Sequence, residues 1–178
     1  AFANQKGGVG KTTSAVNIAA GVAALGKKVL LCDFDPQGNA TSGVGINKRQ
    51  IVNSTYDLLI GRVSGKDCVI KTEFENLDVI PANIALAGAE FELVELEDRE
   101  RRLRRGIEDV KADYDYIVVD CPPSLGILTV NSLVAADGII IPMQCEYYAL
   151  EGLSQLMLSI RQVKKLYNPD IEITGILL

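Results

Sequence analysis

The chain has 178 residues, of which 48% are apolar, and its net charge is −5 at neutral pH. These values suit one domain with a sizeable core, and they exclude a chain coated in basic residues for nucleic acid, although not a local basic patch. The four cysteines lie far apart and histidine is absent, so neither a metal cage nor a disulfide framework is expected. No apolar run is long enough to span a bilayer, and a reducing cytoplasm is the expected location.

Short apolar runs alternate with segments of helical spacing along the chain. The first helix is predicted over residues 12–25, with Gly26 as its stop. Further helices are predicted over 93–110, 124–136 and 149–166, and a mobile loop over 45–54. Short apolar runs of the kind found in buried parallel strands occupy residues 28–33, 77–81, 116–120, 138–142 and 171–178.

This order predicts an α/β fold, doubly wound, with a mainly parallel sheet and helices on both faces. Ligands of such sheets lie at the carboxyl ends of the strands. The last apolar run reads as a buried strand with nothing after it to cover it, and the first four residues are short for a strand. We therefore expect residues 1–178 to be a single domain that is truncated at its C-terminus.

Residues 5–13 read Gln-Lys-Gly-Gly-Val-Gly-Lys-Thr-Thr, which is typical of a loop that cradles phosphates. Small residues let successive backbone N–H groups turn toward a polyphosphate, and the following helix adds the positive end of its dipole. Lys11 is placed to reach the β- and γ-phosphates, and the Thr12 hydroxyl to ligate Mg²⁺. Thr13 starts the helix or contacts the α-phosphate. The predicted nucleotide-binding residues are Lys6, Gly7, Gly8, Val9, Gly10, Lys11, Thr12 and Thr13.

The loop carries a second lysine, Lys6, and departs from the strict pattern G-x-x-x-x-G-K-[ST], because the first glycine of that pattern falls on Gln5. At the mouth of the loop, Lys6 is poorly placed to fold back on its own phosphates, whereas the phosphates of a facing copy are easier to reach. The sequence predicts a dimer that sandwiches nucleotide, with Lys6 acting in trans as an arginine finger does elsewhere. The alternative is a solvated surface lysine.

Acids follow two of the predicted strands. Asp33 and Asp35 precede a turn-forming sequence, and we predict that Asp35 orients or deprotonates the attacking water while Asp33 supports the loop and the metal shell. Asp120 ends an apolar run, where a Walker B acid holds Mg²⁺ through water. The alternatives are two acids that cap a solvated turn, and an N-cap for the next helix at Asp120, although two prolines intervene.

Arginines cluster between residues 99 and 105, and acids surround them, so that the local charge nearly cancels. A salt-bridged, solvated helix face is favoured over a nucleic-acid patch. Cys121 is predicted to be a small buried residue.

The assembled motifs resemble those of the ParA/Soj family of chromosome- and plasmid-partitioning ATPases, within the larger group that also contains MinD. The resemblance covers essentially the whole chain, so residues 1–178 are expected to form a single P-loop ATPase domain that is truncated at its C-terminus. The loop at residues 6–13 is similar to that of the larger group, whereas segments 33–41, 120–126 and 146–152 look specifically Soj-like.

The resemblance implies a weak ATPase, with ATP and Mg²⁺ as cofactors, in which Lys6 contacts the nucleotide of the partner. It implies that Lys11 and Thr12 are the phosphate and Mg²⁺ ligands, that Asp35 is the catalytic acid and that Asp120 belongs to Walker B. Together with the reasoning from the residues, this predicts catalytic roles for Lys6, Lys11 and Asp35, and a metal shell formed around Thr12, Asp33 and Asp120. In this family ATP drives a sandwich dimer that binds DNA non-specifically, and a ParB-like partner stimulates hydrolysis. The adenine-recognition segment and the main DNA-binding arginines of the family lie beyond Leu178. The expected location is cytoplasmic and nucleoid-associated, in a bacterium, without membrane attachment.

Two alternatives belong to other classes. A membrane-associated division-site regulator similar to MinD requires a C-terminal amphipathic helix. A nucleotide-dependent iron–sulfur carrier requires two cysteines that meet across a dimer axis, and only Cys121 lies near the predicted Walker B segment.

Overall fold

The structure is a computed structural model that describes residues 1–146 and 149–178, without the side chains of 149–151. The strands are β1 (Val29–Asp33), β2 (Ile70–Lys71), β3 (Leu77–Ile80), β4 (Tyr116–Asp120), β5 (Gly138–Pro142) and β6 (Glu172–Leu177). The α-helices are α1 (Lys11–Ala24), α2 (Asn39–Gly43), α3 (Thr55–Ile60), α4 (Gly65–Cys68), α5 (Leu86–Glu92), α6 (Arg102–Gly106), α7 (Ile127–Ala135) and α8 (Ala149–Leu166). Turns of 3₁₀ helix lie at Lys48–Gln50, Leu93–Glu95, Arg99–Arg101 and Lys111–Asp113.

The sheet is mainly parallel, as predicted. Strands β2, β3, β1 and β4 are hydrogen-bonded in that order, and β5 pairs with β6. Strand β1 runs parallel to β3 and β4, whereas the short β2 is antiparallel to β3. The N-terminal segment joins the two parts, because Phe2 forms parallel bridges to Asp120 and Ile140. The phosphate loop therefore leaves the middle of the sheet.

Helices cover both faces of the sheet, and the alternation of side chains along β1 shows how. Val29 and Leu31 point to the face covered by α1, where the small side chains of Ala15 and Ala19 are fully buried. Leu30 points to the opposite face and belongs to a larger core cluster, whose helical members come from α3 to α8. The predicted doubly wound architecture is confirmed.

The predicted helix over 93–110 is wrong, although its apolar members Leu103, Ile107 and Val110 are buried. A 3₁₀ turn ends at extended Leu96, and Asp98 has a left-handed backbone with φ 52°. The tertiary contact responsible is the buried Asn131 of α7. Its side chain accepts the Leu103 N–H at 3.0 Å and donates to the Arg99 carbonyl at 2.8 Å. These bonds replace those that a continuous helix would supply.

The arginine cluster is a salt-bridged surface, as predicted. Arg99 pairs with Glu100 at 3.2 Å and Arg105 with Asp98 at 2.5 Å.

The last strand was predicted to be buried, and this part of the prediction is wrong. Strand β6 forms within the predicted range, but it lies at an edge of the sheet, and Ile176 is 52% exposed.

Candidate nucleotide-binding site

The phosphate loop connects the centre of the sheet to α1. Gly8 and Gly10 have positive φ angles of 74° and 88°, which a residue with a Cβ rarely adopts. Gly10 offers no side chain to cap α1, and no acid lies in the first helical turn. The helix therefore presents uncapped N–H groups and a positive dipole end toward an anion.

Lys11 is the first residue of α1 and is only 6% exposed. Its Nζ donates to the carbonyl oxygen of Lys6 at 2.9 Å, across the base of the loop. Burial lowers the pKa of this ammonium, and the nearby carboxylates of Asp120 and Asp35 offset part of that effect. A buried cation with these neighbours is suited to phosphate oxygens.

Asp120 lies at the end of β4, in register with Asp33 at the end of β1. It is fully buried, and neither carboxylate oxygen has a hydrogen-bond partner among the described residues. Burial raises the pKa of Asp120 to about 7, while the Thr12 hydroxyl and the Lys11 ammonium nearby lower it. A buried carboxylate without partners is costly unless a cation compensates it. The oxygens of Asp120 and Thr12 are donors that suit Mg²⁺, so these residues fit the metal.

We expect this carboxyl to make the nucleotide-free protein less stable as the pH rises. Between about pH 4 and 7 it is ionised in the unfolded chain but still protonated in the folded one, so ionisation favours unfolding. From pH 5 to 8 the free energy of unfolding should fall by about 2–3 kcal/mol more in the wild type than in Asp120→Asn. Denaturant unfolding of both proteins in a metal chelator measures this difference, and identical pH profiles would contradict it.

Asp33 is also fully buried, but its carboxylate has several partners. One oxygen accepts the N–H of Thr41 at 2.7 Å and the Thr41 hydroxyl at 2.6 Å, and the other accepts the N–H of Asp35 at 3.2 Å. Burial raises the pKa of Asp33, and the hydrogen bonds from Thr41 lower it. Asp33 thus holds α2 and the turn after β1 in place, which favours its predicted support of the loop over direct contact with a metal.

Asp35 lies in that turn and is 7% exposed. Its Oδ1 accepts the Gln37 N–H at 2.9 Å, and its carbonyl accepts the Gly38 N–H at 2.8 Å. Gly38 has φ 62°, and a Cβ there would lie 2.7 Å from the Ala82 carbonyl oxygen. The tight turn brings the Asp35 carboxylate within electrostatic range of Lys11 and Asp120.

Lys6 makes a different contact. Its ammonium forms an ion pair with Glu146, which follows β5. Its backbone N–H donates to Asn4 Oδ1 at 3.0 Å, and Asn4 Nδ2 donates to the Pro142 carbonyl at 2.7 Å. The sequence reasoning assigned no role to Asn4 or Glu146. A polar residue directly before the loop was the available signal for Asn4, whereas no local signal pairs Glu146 with Lys6.

Cys121 is fully buried, as predicted, and burial raises the pKa of its thiol to about 11. A thiol in this position is not available to ligate a cluster across a dimer axis, which speaks against an iron–sulfur carrier. Within residues 1–146 and 149–178, no group of three or more His, Cys, Asp or Glu side chains could hold a metal ion. Over the same part of the chain, no helix combines the length and apolar character needed to cross a membrane.

A parallel α/β sheet with a phosphate loop at its centre and a buried acid on the adjacent strand defines a P-loop NTPase. The family model described as AAA domain matches residues 1–173. The sporulation initiation inhibitor protein Soj of Bacillus subtilis is 58% identical over 178 residues, which are 100% of this chain and 70% of that protein. The chromosome partitioning protein ParA of Myxococcus xanthus is 53% identical over 99% of this chain and 62% of its own length. The chain belongs to the ParA/Soj family of partitioning ATPases.

Solved structures show the same fold. A plasmid partition protein from Borrelia burgdorferi is 33% identical with a TM-score of 0.85, over 99% of this chain and 76% of that one. A structure described as cobyrinic acid a,c-diamide synthase from Mycobacterium smegmatis, with bound ADP and magnesium, is 41% identical with a TM-score of 0.95. It aligns with 99% of this chain and 71% of its own.

Proposed function

We propose that the protein is an ATP-dependent dimerisation switch with slow ATP hydrolysis, which acts in chromosome or plasmid partitioning through non-specific DNA binding. The observation that carries this proposal is the division of the two loop lysines. Lys11 is buried beside Asp120 and Asp35, whereas Lys6 is held by Glu146. This division supports a role for Lys11 at the nucleotide of its own protomer and a role for Lys6 at the nucleotide of a partner.

In this proposal, the loop N–H groups and the Lys11 ammonium bind the ATP phosphates, and Thr12 and Asp120 hold Mg²⁺. The metal, when bound, neutralises phosphate charge. Asp35 orients or deprotonates the attacking water, and Lys6 of the facing protomer stabilises the charge that develops on the phosphates. Asp33 keeps the Asp35 turn in position through Thr41.

Soj and ParA proteins are 50–58% identical to this chain. This similarity supports a function in partitioning over a function as a division-site regulator. Arg99, Arg101 and Arg105 form ion pairs with neighbouring acids, which makes this cluster a poor site for DNA phosphates. We therefore expect the main DNA contacts of the dimer to lie outside this chain. We propose a ParB-like activator as partner and a nucleoid-associated, cytoplasmic location without membrane attachment.

Sedimentation of the full-length protein tests this function. We expect monomers without nucleotide and with ADP, and dimers with ATP and Mg²⁺. Binding to DNA of unrelated sequences should appear only under the conditions that give dimers, and should weaken as salt increases. Protein that binds ATP yet stays monomeric and does not associate with DNA would contradict the proposal.

A further inference from the structure

The segment that follows β5 touches the phosphate loop at two points. Gln144 Nε2 lies 3.4 Å from the Gly8 carbonyl oxygen, and the Glu146 carboxylate pairs with the Lys6 ammonium. The segment is itself anchored, because the Met143 N–H donates to the Leu177 carbonyl at 2.8 Å and the Glu146 N–H to the Gln144 carbonyl at 2.8 Å. Glu146 is therefore held beside the loop.

The backbone of Lys6 is bound on both sides. Its N–H donates to Asn4 Oδ1 at 3.0 Å, and its carbonyl accepts from Lys11 Nζ at 2.9 Å. Asn4 is 5% exposed and is tied to the end of β5 through Pro142. With the backbone held in this way, the direction of the Lys6 side chain depends on the partner of its ammonium, which in this structure is Glu146.

We propose that Glu146 is a positioning residue that holds Lys6 within its own protomer, and that the lysine exchanges this carboxylate for a phosphate of the facing protomer when the dimer forms. The inference rests on the trans role of Lys6 in the proposed function. A triphosphate carries more negative charge than one carboxylate. The Lys6 ammonium would also contact it in a dimer interface that holds less water than the present surroundings of the ion pair, so the exchange is favourable with ATP. Without a nucleotide across the interface, the ion pair to Glu146 persists and opposes dimerisation.

The expected change in the dissociation constant of the dimer follows from the solvent exposure of the ion pair and from the symmetry of the dimer. The side chains of Lys6 and Glu146 are 34% and 51% exposed, so the ion pair is partly solvated and modest in strength. Breaking one such pair changes an equilibrium by about two- to five-fold. A symmetric dimer breaks the pair in both protomers, so the dissociation constant of the dimer should respond by about 4- to 25-fold.

Glu146→Gln in the full-length protein removes the charge of the carboxylate with little change in shape. We expect the dissociation constant of its ATP-dependent dimer to be about 4- to 25-fold smaller than that of the wild type, and the difference to shrink in high salt. Glu73→Gln is the matched control, because it removes the same charge from an exposed site between β2 and β3.

A second measurement does not depend on dimerisation. In nucleotide-free protein, the rate at which an amine-reactive acylating reagent modifies Lys6 should rise in Glu146→Gln and stay unchanged in Glu73→Gln. A protein that dimerises with ATP but shows the same dissociation constant, or a larger one, in Glu146→Gln overturns the inference and leaves the proposed function standing. An unchanged acylation rate of Lys6 in Glu146→Gln would show that Glu146 does not hold the Lys6 ammonium in solution, and this result also overturns the inference. Absence of any ATP-dependent dimer in the wild type would instead overturn the proposed function.

Discussion

Lys6→Ala is expected to raise the dissociation constant of the ATP-dependent dimer by about 10³-fold or more, while each protomer still binds one nucleotide. Removing one partner of a desolvated charge pair costs about 2–5 kcal/mol, and the symmetric dimer loses two such pairs. Every 1.4 kcal/mol is about a factor of ten in the constant. Nucleotide binding should persist because the contacts of Lys6 with Asn4 and Lys11 use backbone atoms, which alanine retains.

Sedimentation in the presence of ATP measures the dimer, and titration with a fluorescent ATP analogue measures nucleotide binding. Lys27→Ala is the matched control, since it removes an exposed lysine just beyond the opposite end of α1. Dimers of normal affinity in Lys6→Ala would show that this lysine does not act in trans. Loss of nucleotide binding in the same variant would place Lys6 at its own phosphates.

Asp35→Asn is expected to lower the rate of ATP hydrolysis by about 10²- to 10⁴-fold, which is the usual contribution of a positioned general base. The amide oxygen can still accept the Gln37 N–H that Asp35 Oδ1 accepts at 2.9 Å, so the turn should keep its shape. Because hydrolysis ends the dimeric state in the proposed function, the ATP-bound dimer should also persist for longer. Single-turnover hydrolysis and the decay of the dimer after ATP is removed measure the two effects.

Asp33→Asn separates this chemical role from a structural one. Its amide nitrogen cannot accept hydrogen bonds, so at least one of the contacts with Thr41 or the Asp35 N–H should be disturbed, and thermal stability should fall. Normal hydrolysis in Asp35→Asn would remove that residue from the chemistry. A loss of stability in Asp35→Asn as large as in Asp33→Asn would mean that both acids act only on the fold.

Much of the fold could be predicted because the information is local. The ranges predicted for β4, β5 and α8 match the structure, since buried parallel strands are short continuous apolar runs and α8 has helical spacing. The interval from residue 93 to 110 could not be predicted in the same way. Its apolar spacing satisfies a helix, but Asn131 takes over backbone groups near its middle from a different element.

The candidate site was likewise predictable only in part. The phosphate loop could be recognised from consecutive residues, because the glycines, Lys11 and Thr12 act together through one turn and the start of one helix. The hydrogen-bond partners of the acids could not be predicted in this way. Asp33 and Asp120 look alike as acids that end apolar runs, yet one accepts hydrogen bonds from Thr41 and the other is buried with no partner among the described residues.

The sequence by itself determined that this chain is an α/β protein with a phosphate loop and two lysines in it, because those features depend on neighbouring residues. Only the tertiary structure decided which group each lysine meets. Lys6 and Glu146 are 140 residues apart in the chain, and they come together because the N-terminal segment lies beside β5 in the sheet. Strand order sets such contacts, and strand order is a property of the packed sheet rather than of any local run of residues.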